Sequence, residues 1–496
     1  MRAQTVDVVV IGSGMGGACA AYGLAPSGAS ILVLERGERL VDCPEARDAA
    51  AIFGRAHFRP QESWRDGEGK AFNPGNYYFV GGNTKLYGAV LIRFRAEDFA
   101  PRRLPGGETP GWPFPYETLA PWYDRAEALF NVRGALGEDP TEPAHAGPYP
   151  HPPVPDEPAI AEVRARLTRL GLRPFSLPLG VDEARWLARG KTPWDGFPDT
   201  FTGKMDAETC ALAGALANDN VRLETGAEVE RIEADGAGRR IEAVVYRKDG
   251  EERRVTAKLI VLAAGAVNSA ALLIASGLAN GSDQVGRNFM NHNASAMLAI
   301  DPRRRNDAVY QKTLGCNDFY LDDGRGGGPL GNVQLLGKIS GPILAPQLPF
   351  VPGPALAAVA GRSVDWYLMS EDLPTADSRV TLDGRTIVLD WKRSNWQAHA
   401  GLVARWRETM KAAGYPIVLA KAFDRRTPSH QCGTARMGDA PAGSVVGPLC
   451  RAHDHDNLFV VDASVLPTSA AVNPSLTVAA LALRAADHIC TTELRA

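Results

Sequence analysis

The stretch Val6-Asp7-Val8-Val9-Val10-Ile11-Gly12-Ser13-Gly14-Met15-Gly16-Gly17 constrains the fold more than any other part of the chain. Val6–Ile11 has the composition of a strand buried on both faces. Ala18–Leu24 continues as a helix until Pro26, Ser27 and Gly28 break it, and Ser30–Glu35 forms the next strand. Strand, glycine turn, helix and strand make a β-α-β unit with parallel strands. The glycines have separate uses. Gly12 allows the tight turn, Gly14 lets a pyrophosphate approach the backbone, and Gly17 lets the helix pack closely on the strand. Free N–H groups at the helix start favour phosphate. Glu35, ending the second strand, is placed to accept both hydroxyls of an adenosine ribose and disfavours a 2′-phosphate, so NADP is not expected. The turn alone does not separate FAD from NAD.

A chain of 496 residues is too long for one ordinary core, so two or three domains, or one interleaved pair, are expected. Apolar residues at 45% and charged residues at 22% exclude disorder, collagen and coiled coil as the main architecture. The charge sum, 54 − 57 = −3, leaves no basic excess to neutralise nucleic-acid phosphates. The seven cysteines are scattered with no C-x-x-C pair. No metal site is indicated, and reduced thiols in a cytoplasm fit better than a disulfide framework. Arg2 is followed by Asp7 and the glycine turn, which reads as a first strand rather than a signal peptide. Export with a signal-bearing partner subunit stays open. Leu259–Gly277 contains Asn268 and Ser269, so it reads as buried strand, turn and helix rather than a membrane span.

Residues 96–200 are rich in Pro, Gly and Trp, with little clean periodicity. Short strands return over Val221–Val261, with turns at Asp235-Gly236 and Asp249-Gly250. Residues 301–425 read as a mixed sheet with loops, including strands at Arg379–Leu382 and Thr386–Asp390, then an amphipathic helix over Gln397–Ala413. The last segment reads as strand Leu458–Asp462, loop, and helix Ser475–Ile489.

Further blocks carry a family resemblance. They are Leu34-Glu35-Arg36-Gly37, Val80-Gly81-Gly82-Asn83-Thr84-Lys85-Leu86-Tyr87-Gly88, Gly111-Trp112-Pro113-Phe114-Pro115-Tyr116, Gly281–Asn288, Asn457–Ser464 and Asn473-Pro474-Ser475-Leu476-Thr477. In this order they resemble the glucose–methanol–choline (GMC) oxidoreductases nearly end to end. The resemblance implies an α/β fold: a Rossmann-like FAD-binding domain built from residues 1–95, 205–300 and 426–496, plus a substrate domain with a mixed or antiparallel sheet from 96–204 and 301–425. It implies that Gly12, Gly14, Met15, Gly17, Glu35 and Arg36 hold the ADP half of FAD, and that Val229 meets the adenine through its backbone. Gly82, Asn83, Thr84 and Gly88 then lie beside the reactive edge of the isoalloxazine. Asp462, Asn473, Pro474 and Thr477 approach its pyrimidine end, and Ala264 and Gly265 complete the cofactor set, each of which, like Val229, has a plain core reading too. Fungal pyranose oxidases, which this resemblance brings in, tether FAD through a His in the flavin-side loop. That position is Leu86 here, so FAD is expected to be non-covalent.

Oxidising an alcohol by hydride transfer requires a base for the hydroxyl proton, and histidine suits it. Among nine histidines, His430 opens His430-Gln431-Cys432-Gly433-Thr434-Ala435-Arg436-Met437-Gly438, which resembles the block holding the family's catalytic base. The second family position is Asn473, which orients the substrate oxygen but cannot act as a base. His292 matches a structural family position. His453 and His455 read as a polar turn, and Arg303-Arg304-Arg305 as a solvated loop. Within the family, Val80–Phe94 and Asn317-Asp318-Phe319-Tyr320 resemble the bacterial pyranose-oxidase-like and glycoside 3-oxidase branch. The favoured substrate is thus a ring hydroxyl of a pyranose or glycoside, oxidised to a ketone. A non-sugar alcohol is the alternative, and an FAD-containing lyase or a plain NAD dehydrogenase are readings from other classes. Some bacterial relatives carry cysteines in a loop that corresponds to Lys191–Pro198, at the expected substrate entrance, and this chain has none there. The electron acceptor is oxygen, a quinone or a partner redox protein.

Overall fold

The computed structural model describes residues 4–188, 192–200, 202–427 and 430–495; Lys191 of the entrance loop lies outside them. The glycine turn joins strand Gln4–Ile11 to helix Met15–Leu24, and strand Ile31–Leu34 follows. Val8, Val9 and Val10 are fully buried, as a strand covered on both faces requires. Strand Gln4–Ile11 pairs in parallel with Ile31–Leu34 on one side and with the long strand Glu251–Leu262 on the other. Val221–Glu224 extends the sheet in parallel beyond Ile31–Leu34.

The long strand forks. Its first half pairs antiparallel with Ile241–Lys248, which pairs with Glu228–Ala234; its last three residues pair in parallel with Leu458–Val460. The result is a seven-stranded sheet drawn from both ends and the middle of the chain. Helix Ser475–His488 covers one face beside Met15–Leu24, so closely that a Cβ on Gly23 would meet Ala486 Cβ at 2.6 Å.

A second sheet has six strands in the order Ile417–Ala422, Asn293–Ile300, Ser363–Ser370, Asn332–Leu335, Leu314–Cys316, Pro174–Ser176, antiparallel at every pairing. Helix Trp396–Ala412 packs on it through Leu402, Trp406 and Met410, all fully buried. Residues 293–300, which the sequence groups with the cofactor segment, are a central strand of this second sheet, so the chain crosses between sheets at Asn291-His292. Strands Arg379–Asp383 and Thr386–Asp390 join neither. They form a small mixed sheet with Trp64–Asp66 and Ala71–Phe72.

Two helices appear where the sequence shows little periodicity, Tyr116–Leu129 and Pro158–Arg169. Their buried positions, Tyr116, Leu119, Tyr123 and Ala126 in one and Ile160, Val163 and Leu167 in the other, keep helical spacing. Pro121 inside the first and the surrounding prolines mask it in the sequence.

Candidate active site

Between the two sheets lies a cavity of about 910 Å³. One end is built from the glycine turn. A Cβ on Gly12 would sit 2.4 Å from the Ala263 carbonyl oxygen, one on Gly16 2.2 Å from that of Val461, and one on Gly17 2.0 Å from that of Gly12. These three glycines serve packing. Gly14 has nothing within 4 Å of its Cβ direction and faces open space. Gly82 covers this turn, its own Cβ direction 3.3 Å from Gly14 Cα. The Glu35 carboxylate accepts from Ser13 N (3.0 Å) and Ser13 Oγ (2.6 Å) with Oε2, and from Gly37 N (2.9 Å) with Oε1. Each oxygen can accept two bonds, so Oε1 keeps capacity for a ribose hydroxyl. Burial pushes the Glu35 carboxyl above the ordinary range. Arg36 lies 3.9 Å over the Tyr78 ring and pairs with Glu228 at 3.1 Å, beside Val229.

The flavin-side loop is fixed from below. Lys85 is buried and bridges Asp206 and Glu208 at 2.9 Å each. Thr84 Oγ1 donates to Gly81 O (2.5 Å) and accepts from Ala207 N (3.1 Å). Asn83 Oδ1 accepts from Tyr77 N (2.9 Å). Ala264, Gly265, Asp462 and Pro474 also line the cavity. Asp462 Oδ2 accepts from Gly265 N (2.9 Å) and so ties two cofactor-facing segments together. Gly17 and Thr477 do not line the cavity. Thr477 Oγ1 instead meets Tyr123 Oη at 2.7 Å.

At the other end His430 and Asn473 meet, with Asn473 Nδ2 3.2 Å from His430 Nε2. His430 has φ +69°, a left-handed conformation that a non-glycine residue holds at a cost of about 1–3 kcal/mol. Behind it, His292 Nδ1 lies 2.8 Å from His430 Nδ1, and His292 Nε2 lies 2.9 Å from the Ser469 carbonyl oxygen. A carbonyl only accepts, so His292 Nε2 carries a proton. Burial pushes His292 down to about 4, so its ring is neutral near pH 7 and Nδ1 is a lone pair. The facing Nδ1 of His430 must then carry the proton. Nε2 of His430, on the cavity side, is left as the acceptor. Burial, then His292 and Lys312, hold the His430 ring well below the usual histidine range.

The chain matches known proteins along nearly its whole length. Residues 194–294 and 374–482 match two profiles described as GMC oxidoreductase, and residues 10–57 match an NAD(P)-binding Rossmann-like domain. The chain is 31% identical to 6'''-hydroxyparomomycin C oxidase of Streptomyces lividus, over 97% of this chain and 91% of that protein. The chain is a GMC oxidoreductase. It is also 28% identical to 2-methyl-1,2-propanediol dehydrogenase of Mycolicibacterium austroafricanum, over 98% and 95% of the two chains. The structure resembles that of pyridoxine 4-oxidase from Mesorbium loti, with a TM-score of 0.69 at 20% identity over 97% and 98% of the chains, which shows the shared fold.

As a GMC oxidoreductase the protein is an FAD-dependent enzyme acting on alcohol groups. The residues present fit that cofactor: Gly14 leaves space where a pyrophosphate must approach, Glu35 keeps an acceptor for ribose, and the cavity runs unbroken from there to His430. Among the described residues, two groups of three potential metal ligands occur, Cys43–Glu45–His57 and Asp124–Glu127–His145, neither at the cavity. Arg93 already occupies the second, with Nη2 2.6 Å from both Asp124 and Glu127. All seven cysteines are free thiols. His453 Nε2 meets Ser444 Oγ and His455 Nε2 accepts from Ala279 N, so both serve loop structure.

Several functional residues escape the sequence reading. His292, assigned there only a structural position, touches His430. Lys312 and Asp195 form a 2.7 Å ion pair on the cavity wall, and Gly88 sits against both, its Cβ direction 2.6 Å from Asp195 Oδ1 and from Lys312 Nζ. Tyr367 stands between Lys312 (5.9 Å) and His430 (6.3 Å). Gly88 and Asp195 fall in blocks the sequence analysis names, whereas Lys312 and Tyr367 lie in no motif, and only the fold brings them all together. Among the described residues, no helix is long and apolar enough to cross a membrane.

Proposed function

We propose that the enzyme oxidises a hydroxyl of a sugar or glycoside, a pyranose ring hydroxyl being favoured, with His430 as the base. The observation that carries the mechanism is the His430 Nε2 lone pair, turned to the cavity beside the Asn473 amide. A substrate hydroxyl placed against Nε2 loses its proton there as the carbinol hydrogen leaves. Asn473 orients the oxygen and cannot take the proton itself. Bound FAD supplies the two-electron acceptor for the hydride. The depressed basicity of His430 keeps Nε2 unprotonated over the neutral range.

The sugar reading is supported by an aminoglycoside oxidase among the relatives. It is supported too by the cavity wall. Lys312 gives Asp195 one of its three donors, and Asp195 Oδ1 keeps acceptor capacity toward Gly88. Such a wall suits a substrate with several hydroxyls. The diol dehydrogenase relative favours a second reading, a small non-sugar alcohol. Oxygen, a quinone or a partner redox protein reoxidises the enzyme, and the free thiols favour a cytoplasmic location. Anaerobic flavin bleaching by free sugars, glycosides and simple alcohols tests the assignment. Bleaching by simple alcohols alone favours the second reading. Absence of bleaching by any of these rejects both substrate readings.

A further inference from the structure

The Asn473 amide has two ends, and only the Nδ2 end requires His430 Nε2 to be unprotonated, the state of a base. A line of buried amides decides which end faces His430. It starts at Asp139, whose Oδ2 accepts from Arg95 Nη1 (2.8 Å) and from Asn317 Nδ2 (2.7 Å), and whose Oδ1 accepts from Thr141 N and Oγ1 (2.9 Å each). An ionised carboxylate accepts and never donates, so Asn317 must turn its NH₂ to Asp139 and its oxygen away. Asn317 Oδ1 then accepts from Asn332 Nδ2 at 2.7 Å, and Asn332 Oδ1 accepts from Gln334 Nε2 at 3.2 Å. The same Gln334 Nε2 donates to Asn473 Oδ1 at 2.8 Å. With its oxygen spent on Gln334, Asn473 presents Nδ2 to His430.

Asn317, Asn332 and Gln334 are each 1% exposed, so bulk water does not offer an alternative partner. Reversing any one amide sets like against like at a neighbour, NH₂ against NH₂ where Asn473 meets Gln334 and oxygen against oxygen elsewhere, and reversing all of them sets oxygen against the Asp139 carboxylate. The direction of the line is therefore fixed at its far end.

We propose that the Arg95–Asp139 ion pair, acting through Asn317, Asn332 and Gln334, sets the polarity of the Asn473 amide and thereby holds His430 Nε2 as an acceptor. These five are positioning residues, since none touches the reacting atoms. The second line of bonds, from the Ser469 carbonyl through His292, reaches the other nitrogen of the same ring and requires the same tautomer. The base is thus set from both sides, one line running through the second sheet and the other from the C-terminal segment.

The inference rests on His430 being the base, and Gln334→Glu tests it. Ionised, a carboxylate at 334 can only accept, so at a pH above its burial-raised pKa Asn473 must turn its NH₂ toward it and its oxygen toward His430 Nε2. That nitrogen then needs a proton, as imidazolium or as the Nε2–H tautomer. The expected result, in the FAD-loaded protein, is an acid limb of anaerobic flavin reduction raised by about one to two pH units, the size of a charge-assisted hydrogen bond to the ring. Histidine ¹⁵N NMR should show Nε2 of His430 protonated near neutral pH, where the wild type shows it bare. Gln334→Leu removes the constraint without reversing it and should slow reduction while leaving the acid limb in place. Flavin content and thermal melting confirm that both variants fold. An unchanged Nε2 signal in Gln334→Glu overturns the polarity argument, even if added charge moves the limb. An equal shift in Gln334→Leu also overturns it. Full reduction by His430→Ala is a separate outcome and removes the base assignment itself.

Discussion

At the residue scale the proposed reaction depends on one ring nitrogen, His430 Nε2. Replacing a positioned base typically costs about 10²–10⁴ in rate. His430→Ala should slow anaerobic flavin reduction by about that factor while FAD stays bound. Asn473→Ala removes an orienting hydrogen bond of about 1–3 kcal/mol, about tenfold to a hundredfold in rate. The pH profile separates the two. His430 must be neutral to take a proton, and its basicity is depressed well below the ordinary histidine value of 6.5. Reduction should therefore hold its plateau as pH falls through 6.5 and decline only in more acid solution. Asn473→Ala should keep that decline and His430→Ala should lose it, which stopped-flow reduction over a pH series will show. An Asn473 variant slower than the His430 variant would place the base elsewhere. His292→Phe leaves the His430 Nδ1–H without its acceptor. Reduction should slow about tenfold to a hundredfold with flavin content preserved, since an unsatisfied buried donor costs about 1–3 kcal/mol.

At the element scale the glycine turn separates folding from cofactor binding. A Cβ at Gly14 meets no protein atom within 4 Å, whereas one at Gly12 meets Ala263 O at 2.4 Å with φ at +96°. Gly14→Val should fold and melt like the FAD-free wild type yet load no FAD, because the side chain fills the space of the pyrophosphate. Gly12→Ala should destabilise the protein itself by about 1–3 kcal/mol, through strain and the displaced strand. Flavin absorbance and thermal melting, measured on both, distinguish the effects. A fully flavinated Gly14→Val would mean that the pyrophosphate lies elsewhere. Glu35→Ala should weaken FAD binding and also loosen the turn, since Ser13 and Gly37 lose their acceptor.

At the scale of the whole molecule the cavity is walled by both sheets. Gly14 and Glu35 stand at one end, and Lys312, Leu336 and Tyr367 come from the side of the second sheet. A cofactor filling it ties the two together, and binding to the folded form alone stabilises by about 2.7 kcal/mol at a hundred times Kd. Adding FAD to the stripped protein should raise its melting temperature in a concentration-dependent way, and Gly14→Val should not respond. With Leu86 at the tether position, acid or heat should release intact FAD. Flavin that stays on the denatured chain would defeat the non-covalent assignment.

What the sequence determined by itself is what depends on neighbours along the chain. The β-α-β unit was legible because a buried valine run, a glycine turn and an acid at the next strand end are local features with local causes. His430 and Asn473 were picked out by the family resemblance of the blocks that each opens, and the structure brings the two side chains together. The helices Tyr116–Leu129 and Pro158–Arg169 were not, since prolines hid a spacing that only burial reveals. Nor was the assignment of Asn293–Ile300, because a strand's sheet is decided by its partners, Ser363–Ser370 and Ile417–Ala422, far along the chain. The tertiary structure alone decided how the base is held. His292 and Ser469 reach one side of His430, and Gln334 and Asn473 the other, from segments separated by more than a hundred residues. Hydrogen-bond direction is a property of a connected network, and no amide or imidazole in it carries that direction in its own identity; the Asp139 carboxylate and the Ser469 carbonyl, which only accept, fix it from the two ends.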